Sequence, residues 1–140
     1  MRVLLDTCII SDLYRPHKAE HIREVLKSIG EENCFVSALT LGEIVHGVNL
    51  LQDGKKKREL LLWTRSFEVL YKERIVPIDR EAAKIWGELT ARARKAGQNI
   101  PVVDGLIAAS AICHGLYVMT GNAKDFEFSG AQIFDPWSTR

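Results

Sequence analysis

The sequence predicts an α/β fold with a mainly parallel central sheet, and two observations lead to this prediction. The first is a short unbroken apolar run, Val3, Leu4 and Leu5, which is typical of a strand buried on both faces. The second is that later segments of strand length alternate with segments whose apolar residues recur at helical spacing. Strands that alternate with helices favour parallel pairing, so we expect about four or five strands flanked by helices.

The N-terminal half predicts two strands and several helices. Directly after the first strand, a short helix or turn is expected to end before Pro16, because the residue preceding a proline disfavours helical geometry. Gly30 is a typical stop for the second helix, which is predicted over 19–29. The further elements are a strand over 34–37, a helix starting near Thr40, a turn at Asp53-Gly54 and a long amphipathic helix over 55–71.

The C-terminal half predicts three more strands. Pro77 marks the segment 74–78 as an edge strand, because proline has no N–H to donate within a sheet. Asp79 can cap a helix over 80–96 that Gly97 ends, and Pro101 opens a further helix that ends before Gly115. The last elements are a strand over 116–120, a polar loop over 121–125 and a short strand over 132–134.

The length of 140 residues and the composition predict a single globular domain over 1–140. Hydrophobic residues make up 46% of the chain and charged residues 26%, which is ordinary for a soluble protein. No apolar run approaches the roughly 20 residues of a membrane span, and we expect no signal peptide ahead of the first strand. The three cysteines are far apart in sequence, which agrees with reduced thiols and a cytoplasmic location. The net charge of +1 neither indicates nor excludes a nucleic-acid partner.

Four acidic residues occupy positions where a parallel sheet places its functional groups. Asp6 ends the first strand, Glu43 lies in the first turn of the helix after the second strand, and Asp125 lies in the loop after the 116–120 strand. Ligands of open α/β sheets bind at the carboxyl ends of the strands, so we expect these three at one edge. Asp104 lies in the first turn of a predicted helix that follows no clear strand.

Each acidic residue also has a structural interpretation. Thr40-Leu41-Gly42-Glu43 fits a capping box, in which Glu43 bonds back to the start of its own helix. Asp104 could favour the positive end of a helix dipole, but its apolar neighbours indicate a buried helix, where an uncompensated carboxylate is costly. Asp125 is the weakest candidate, because aspartate is common in loops.

The chemistry of the four residues together indicates a hard divalent cation. Converging carboxylates repel one another, and Mg²⁺ suits a site of a few carboxylates, water and a substrate phosphate. The four histidines and three cysteines are scattered along the sequence, so no competing zinc site is expected, and no glycine-rich phosphate loop is present. These features predict hydrolysis in which water attacks a phosphodiester or phosphomonoester.

Four motifs resemble the PIN-domain ribonucleases, in particular the VapC- and FitB-like toxins of type II toxin–antitoxin systems. The closing Phe134-Asp135-Pro136-Trp137 is also similar to FitB. The resemblance spans essentially the whole chain, and the four motifs in this order are specific. They are Leu4-Leu5-Asp6-Thr7, the segment 37–43, the segment 103–109 and the segment 120–126.

The resemblance implies a Mg²⁺- or Mn²⁺-dependent endoribonuclease that leaves 5′-phosphate and 3′-hydroxyl ends. It implies that Asp6, Glu43 and Asp104 are metal ligands. Members of the family carry the fourth acid at the position of either Asn122 or Asp125, so we expect Asp125 to supply the remaining carboxylate and Asn122 to be a supporting polar residue of the pocket. Thr7 corresponds to a position that orients water in the pocket. It further implies a homodimer and an antitoxin, whose C-terminal segment covers the pocket and whose N-terminal part binds operator DNA.

Basic residues must hold the RNA backbone in such an enzyme. The run 55–58 and the group formed by Arg92, Arg94 and Lys95 are candidates, although either could be a solvated helix face.

Three other functions remain open from the sequence. A haloacid-dehalogenase-like phosphatase needs a second aspartate two residues after the first, where Cys8 stands here. A phosphoacceptor receiver-like domain needs an acidic pair near the first strand and a lysine at the last one, and neither is evident. A catalytically weak PIN-fold partner could act mainly with a DNA-binding antitoxin in a repressor complex.

Overall fold

A computed structural model describes residues 1–138 of the chain, and the last two positions of the predicted 1–140 domain lie outside them. The five strands form one parallel sheet in the order β3-β2-β1-β4-β5, with the N-terminal strand at its centre. The predicted fold class is therefore confirmed, and so is the edge position of the strand next to Pro77. The strands are β1 (Val3–Leu5), β2 (Cys34–Ser37), β3 (Ile75–Val76), β4 (Tyr117–Met119) and β5 (Ile133–Phe134).

Six α-helices and three short 3₁₀ helices connect the strands of the described part of the chain. The α-helices are α1 (Thr7–Tyr14), α2 (Pro16–Ile29), α3 (Ala38–Asn49), α4 (Lys55–Leu70), α5 (Arg80–Lys95) and α6 (Val102–His114). The 3₁₀ helices are Glu31–Asn33, Lys72–Arg74 and Ala123–Phe126, the last of which lies largely within the predicted 121–125 loop. Within residues 1–138, none of the helices combines the length and the apolar character that a membrane crossing requires.

The central strand joins two hydrophobic layers. Val3, Leu4 and Leu5 are fully buried, as their unbroken apolar run predicts. Val3 and Leu5 pack with residues of α1, α2 and α4, whereas Leu4 packs with residues of α5 and α6. Because β1 is covered on both faces, its C-terminal end is the part of the strand that can present a polar group.

Three predicted boundaries are wrong by more than one residue, and each error has a local cause. Helix α2 begins at Pro16 rather than at residue 19, because proline is well suited to the first position of a helix. Helix α3 begins at Ala38 rather than near Thr40, because Ser37 caps it directly at the end of β2 by accepting a hydrogen bond from the Leu39 N–H (3.1 Å). Strand β3 is shorter than the predicted 74–78 segment. Its first residue follows a 3₁₀ helix that includes Arg74, and Pro77 cannot donate to the sheet.

Strand register aligns the polar residues that follow the central strands. Leu5 lies opposite Val36 of β2 and Met119 of β4, and the Asp6 N–H donates to the Met119 carbonyl at 3.0 Å. Asp6 and Thr120 therefore leave the sheet side by side at its carboxyl edge. The start of α3 follows β2 at the same edge.

Candidate functional site

Asp6 is held at the end of β1 by three hydrogen bonds to its carboxylate. The backbone N–H of Thr7 donates to Oδ1 at 2.9 Å, and the hydroxyl of Thr120 donates to Oδ2 at 2.9 Å. The Cys8 thiol also donates to Oδ2, at 3.6 Å. Asp6 is only 7% exposed, and this burial raises its pKa, with a smaller contribution from the charge of Glu43, although the hydrogen bonds oppose the shift. Three donors therefore hold this carboxylate tightly, although no cationic side chain pairs with it within residues 1–138.

Glu43 is linked to the end of β1 rather than to its own helix start. The Thr7 hydroxyl donates to Glu43 Oε1 at 2.6 Å. Because α3 begins at Ala38, Glu43 stands in the second helical turn rather than the first. The capping-box interpretation is wrong: Ser37 is the cap, and the buried Thr40 hydroxyl has no hydrogen-bond partner within residues 1–138.

Asp104 is half-buried in the first turn of α6, and its carboxylate has no hydrogen-bond donor or cationic partner within the described residues. Burial raises its pKa to about 6, and the charges of Asp6, Asp125 and Glu43 add to the shift in that order. The charges of the other three acidic residues thus all act on Asp104, which supports the predicted grouping. We refer to Asp6, Glu43, Asp104 and Asp125 as the acidic cluster.

The start of α6, which carries Asp104, packs closely against α5. A side-chain carbon added at Gly105 would lie 3.0 Å from two ring atoms of Trp86 on α5, and 3.3 Å from a methyl carbon of Thr90. The start of α6 therefore approaches α5 too closely for a larger residue to fit without movement of the indole. The buried face of α6, which includes Ile107, agrees with the sequence-based expectation of a covered apolar helix.

The loop after β4 contributes Asn122 and Asp125 in different ways. The Asn122 N–H donates to the Thr120 hydroxyl at 3.0 Å, so the loop is joined to Asp6 through one shared hydroxyl. Asp125 is exposed in the 3₁₀ helix Ala123–Phe126, which is anchored by the buried Phe126. The negative charge of Asp125 raises the pKa of Asp104, whereas Asn122 lines the polar cleft described below.

The sequence-based selection missed Thr120 and Cys8, which both contact Asp6. The signal for Thr120 was present, because it is a polar residue directly after a buried strand, as Asp6 is. In the sequence, Cys8 stands out only as one of three thiols and as the residue at the position of the phosphatase's second aspartate. Burial raises the pKa of Cys8, which favours the protonated thiol that donates to Asp6.

Two clefts share Ser11 and Arg15 as a common wall next to the acidic cluster. The apolar cleft, of about 490 Å³, includes Thr7 and Glu43 together with apolar residues of α1, α3 and α4. The polar cleft has a volume of about 330 Å³. It is lined by Cys8, Ser11, Asp12, Arg15, Lys18, Gly121, Asn122 and Trp137.

The first predicted basic run is partly engaged in ion pairs. Lys57 pairs with Asp53 at 3.1 Å and Lys55 with Glu59 at 3.9 Å, whereas Lys56 lines the apolar cleft. Within the described residues no ion pair involves the second group, Arg92, Arg94 and Lys95, all of which are exposed.

A second group of metal-ligand residue types lies away from the acidic cluster. The ligand atoms of Asp79, Cys113 and His114 lie within 4.8 Å of one another. Histidines and cysteines that are scattered in sequence are thus partly brought together by the fold, because α6 ends beside the residue that precedes α5. Within the described residues, no three members of the acidic cluster bring carboxylate oxygens this close together. His114 is separated from Asp104 by most of α6, about 15 Å along the helix axis.

Comparisons with known proteins agree with this geometry. The family model described as PIN domain matches residues 3–128. The chain is 37% identical over 136 residues to the protein named Toxin FitB from Neisseria gonorrhoeae, with 96% of this chain and 98% of the relative covered. It is 36% identical over 140 residues to VapC ribonuclease Y4jK from Sinorhizobium fredii, with 96% and 97% covered.

A solved structure of FitAB bound to an IR36 DNA fragment contains a similar chain. The TM-score is 0.91 at 35% sequence identity, and the superposition covers 99% of this chain and 97% of the other. The agreement in sequence and in fold extends over nearly the whole length of both molecules. This protein therefore belongs to the PIN-domain family, in the group that contains the FitB and VapC toxins.

Proposed function

We propose that this chain is the toxic ribonuclease of a type II toxin–antitoxin system and hydrolyses RNA phosphodiesters with a carboxylate-bound Mg²⁺ or Mn²⁺ ion. The observation that carries the proposal is the state of Asp104. Its pKa is raised to about 6 by burial and by three neighbouring carboxylates, with no cationic side chain paired to it in residues 1–138. Such a cluster is destabilised in isolation and stabilised by a cation.

The donor set fits a hard, hydrated cation. All four side chains of the acidic cluster offer oxygen, and their spread fits an ion held through one or two carboxylates and several waters. Asp6, Glu43, Asp104 and Asp125 are the residues that would hold it, either directly or through its waters. When bound, such an ion supplies Lewis-acid chemistry by polarising phosphate oxygens and lowering the pKa of water.

The protein's own groups orient the cluster. The Thr7 hydroxyl donates its hydrogen bond to Glu43, so the lone pairs of its oxygen are free to accept a hydrogen bond from an attacking water. Thr120 holds Asp6 Oδ2, and the Thr7 N–H holds Oδ1, which fixes the plane of that carboxylate. Two of the cluster's side chains are thereby prepositioned before substrate binds.

Regulation by an antitoxin and assembly as a homodimer are part of the proposal. The apolar cleft is lined by Thr7 and Glu43, so a partner segment lying in it would cover the acidic cluster. The similar FitAB structure holds DNA, and we propose that DNA contact of this chain occurs only through its antitoxin, in the cytoplasm. On α4, Leu62 and Val69 are exposed seven residues apart on one helix face, which suits a contact between two copies.

The phosphatase alternative is wrong, because the family is the PIN-domain family and Cys8 offers no second carboxylate beside Asp6.

The alternative of a catalytically weak partner in a repressor complex differs from our proposal in one measurement, the cleavage of RNA. Purified wild type should cleave labelled RNA in Mg²⁺ or Mn²⁺ and lose that activity in EDTA.

Asp104→Asn, purified in the same way, is the control for contaminating nuclease. Cleavage that persists in EDTA, or that is equal in this variant, would refute the metal-dependent mechanism. An antitoxin complex that binds DNA, formed by a chain without any cleavage in Mg²⁺, would support the weak-partner alternative instead.

A further inference from the structure

We propose that the polar cleft is a single-stranded RNA subsite, in which Trp137 stacks on a base and Lys18 and Arg15 hold the adjoining phosphate. The inference rests on the proposed ribonuclease function and identifies where a nucleotide next to the cleaved bond is bound. Neither basic run singled out in the sequence contributes to this cleft.

The polar cleft lies next to Asp6, because residues of its wall are linked to the Asp6 carboxylate by hydrogen bonds. Its wall includes Cys8, whose thiol donates to Asp6 Oδ2, and Asn122, whose N–H shares the Thr120 hydroxyl with that same carboxylate. A strand of RNA whose phosphodiester lies at the acidic cluster therefore has this cleft as an immediate neighbour. The volume of about 330 Å³ falls within the range of small-ligand sites.

The polar cleft has a net positive charge, whereas the acidic cluster is negative. Arg15 is exposed at the end of α1, and no ion pair involves it within residues 1–138. Lys18 Nζ lies 3.5 Å from Asp12 Oδ1, and the side chain of Lys18 remains 38% exposed while that of Asp12 is 10% exposed. The buried Asp12 thus positions the ammonium, which keeps protons available for a phosphate oxygen.

Trp137 supplies an aromatic surface that is held in place although it is 36% exposed. Its ring stacks on His21 with centroids 4.6 Å apart, and the backbone N–H of Trp137 donates to Asp135 Oδ1 at 2.9 Å. His21 is itself hydrogen-bonded through Nε2 to the Pro136 carbonyl at 2.7 Å. The Lys18 ammonium lies 5.8 Å from the Trp137 ring centroid. A stacking surface next to a cation is the arrangement that binds single-stranded nucleic acid without sequence preference.

The contrast with the apolar cleft favours RNA as the occupant. That cleft is walled mainly by apolar side chains such as Ile10, Ile44 and Trp63, which suit a protein segment. The polar cleft instead combines two cations, a hydroxyl, a thiol, an amide and one exposed indole with a single carboxylate, that of Asp12, which pairs with Lys18. The two sites are adjacent, and their linings suit different ligands.

The test measures RNA binding in a background that does not cleave. Asp104→Asn protein is titrated with a fluorescein-labelled single-stranded RNA of mixed sequence and about ten nucleotides, in Mg²⁺, by fluorescence anisotropy. Adding Trp137→Ala should raise the Kd about 5- to 100-fold, and Trp137→Phe should retain most of the affinity. Lys18→Met should weaken binding and lower the slope of log Kd against log salt by about 1.

Lys27→Met is the matched control, because Lys27 lies on the same helix as Lys18 but lines a different cleft. Thermal melts confirm that each variant is folded. Unchanged Kd values for folded Trp137→Ala and Lys18→Met would overturn the subsite, even if wild type cleaves RNA as proposed. Conversely, dependence on Trp137 and Lys18 in a chain that never cleaves would support the subsite and refute the ribonuclease proposal. Absence of any RNA binding would overturn the subsite as well.

Discussion

The end of β1 and the start of α6 each bring an aspartate to the acidic cluster, but the two carboxylates are held differently. Asp6 is almost fully buried and accepts hydrogen bonds from the Thr7 N–H, the Thr120 hydroxyl and the Cys8 thiol. Asp104 is more exposed, has no donor within the described residues, and has its pKa raised to about 6. Asp6 is therefore positioned by hydrogen bonds, whereas Asp104 is positioned only by the packing of its helix. The comparison shows that one site can combine a carboxylate that accepts several hydrogen bonds with one that accepts none. The charged form of the second carboxylate needs a cation to stabilise it.

The largest expected effect is the loss of cleavage, which should be the same for both acids. Asp6→Asn and Asp104→Asn each remove one anionic oxygen from the cluster, so we expect at least about a 100-fold fall in initial rate on labelled RNA in saturating Mg²⁺. Glu88→Gln, an exposed acid on α5, is the control and should cleave as wild type does. If only one of the two aspartates is required, the shared-site proposal fails.

The second prediction tests the hydrogen bonds that distinguish Asp6. Thr120→Val preserves shape but removes the hydroxyl that donates to Asp6 and accepts from the Asn122 N–H, so the free energy of unfolding should fall by about 1 to 3 kcal/mol. Thr40→Val is the same substitution at a buried hydroxyl that has no partner within residues 1–138, and it should be neutral or stabilising. Urea denaturation in EDTA compares them, and equal losses would contradict the role of Thr120.

The third prediction concerns the stability of the metal-free protein. At pH 7 in EDTA, Asp104→Asn should raise the free energy of unfolding by about 1 kcal/mol, because it removes a poorly compensated charge that solvent partly screens. Asp6→Asn should give no such gain, because three donors face the carboxylate that it replaces. Added Mg²⁺ should raise the Tm of wild type more than that of Asp104→Asn. A destabilised Asp104→Asn protein with an unchanged metal response would indicate a structural aspartate instead.

The raised pKa of Asp104 predicts that the stability of the metal-free protein falls as the pH rises. The pKa of Asp104 is raised in the folded state from 3.8 to about 6, so between these values the folded protein binds a proton that the unfolded chain releases. Raising the pH from about 4 to about 6 should therefore lower the stability of metal-free wild type, and this slope should be reduced in Asp104→Asn. Denaturation curves at several pH values in EDTA measure it, and identical slopes for the two proteins would contradict the shift.

The smallest expected effect separates Asp125 from Asn122. The charge of Asp125 raises the pKa of Asp104, so Asp125→Asn should lower that pKa by a fraction of a unit. Asn122→Ala should leave the pKa unchanged, because it removes no charge. Carbon-detected NMR titration of the Asp104 carboxyl in metal-free protein measures both variants. Equal pKa values in wild type and Asp125→Asn would place Asp125 outside the acidic cluster.

The roles of the acidic residues as metal ligands remain predictions, but the grouping that the sequence suggested has structural support. The strand-end rule anticipated Asp6 and Glu43 at one edge, and the apolar surroundings of Asp104 anticipated a carboxylate in need of compensation. The polar cleft was not anticipated, because Arg15 and Lys18 belong to no basic run and Trp137 is far from both in sequence.

The sequence by itself determined the central buried strand, most helix boundaries and the parallel class of the sheet, because these depend on local apolar periodicity, caps and breakers. Only the tertiary structure decided the strand order, the choice of Ser37 over Thr40 as a cap, and the link from Thr7 to Glu43. It also decided that Thr120 would hold Asp6 across 114 positions of the chain. A local pattern reports the interactions between near neighbours, whereas these contacts depend on strand register and helix packing, which are set by the burial of the whole core.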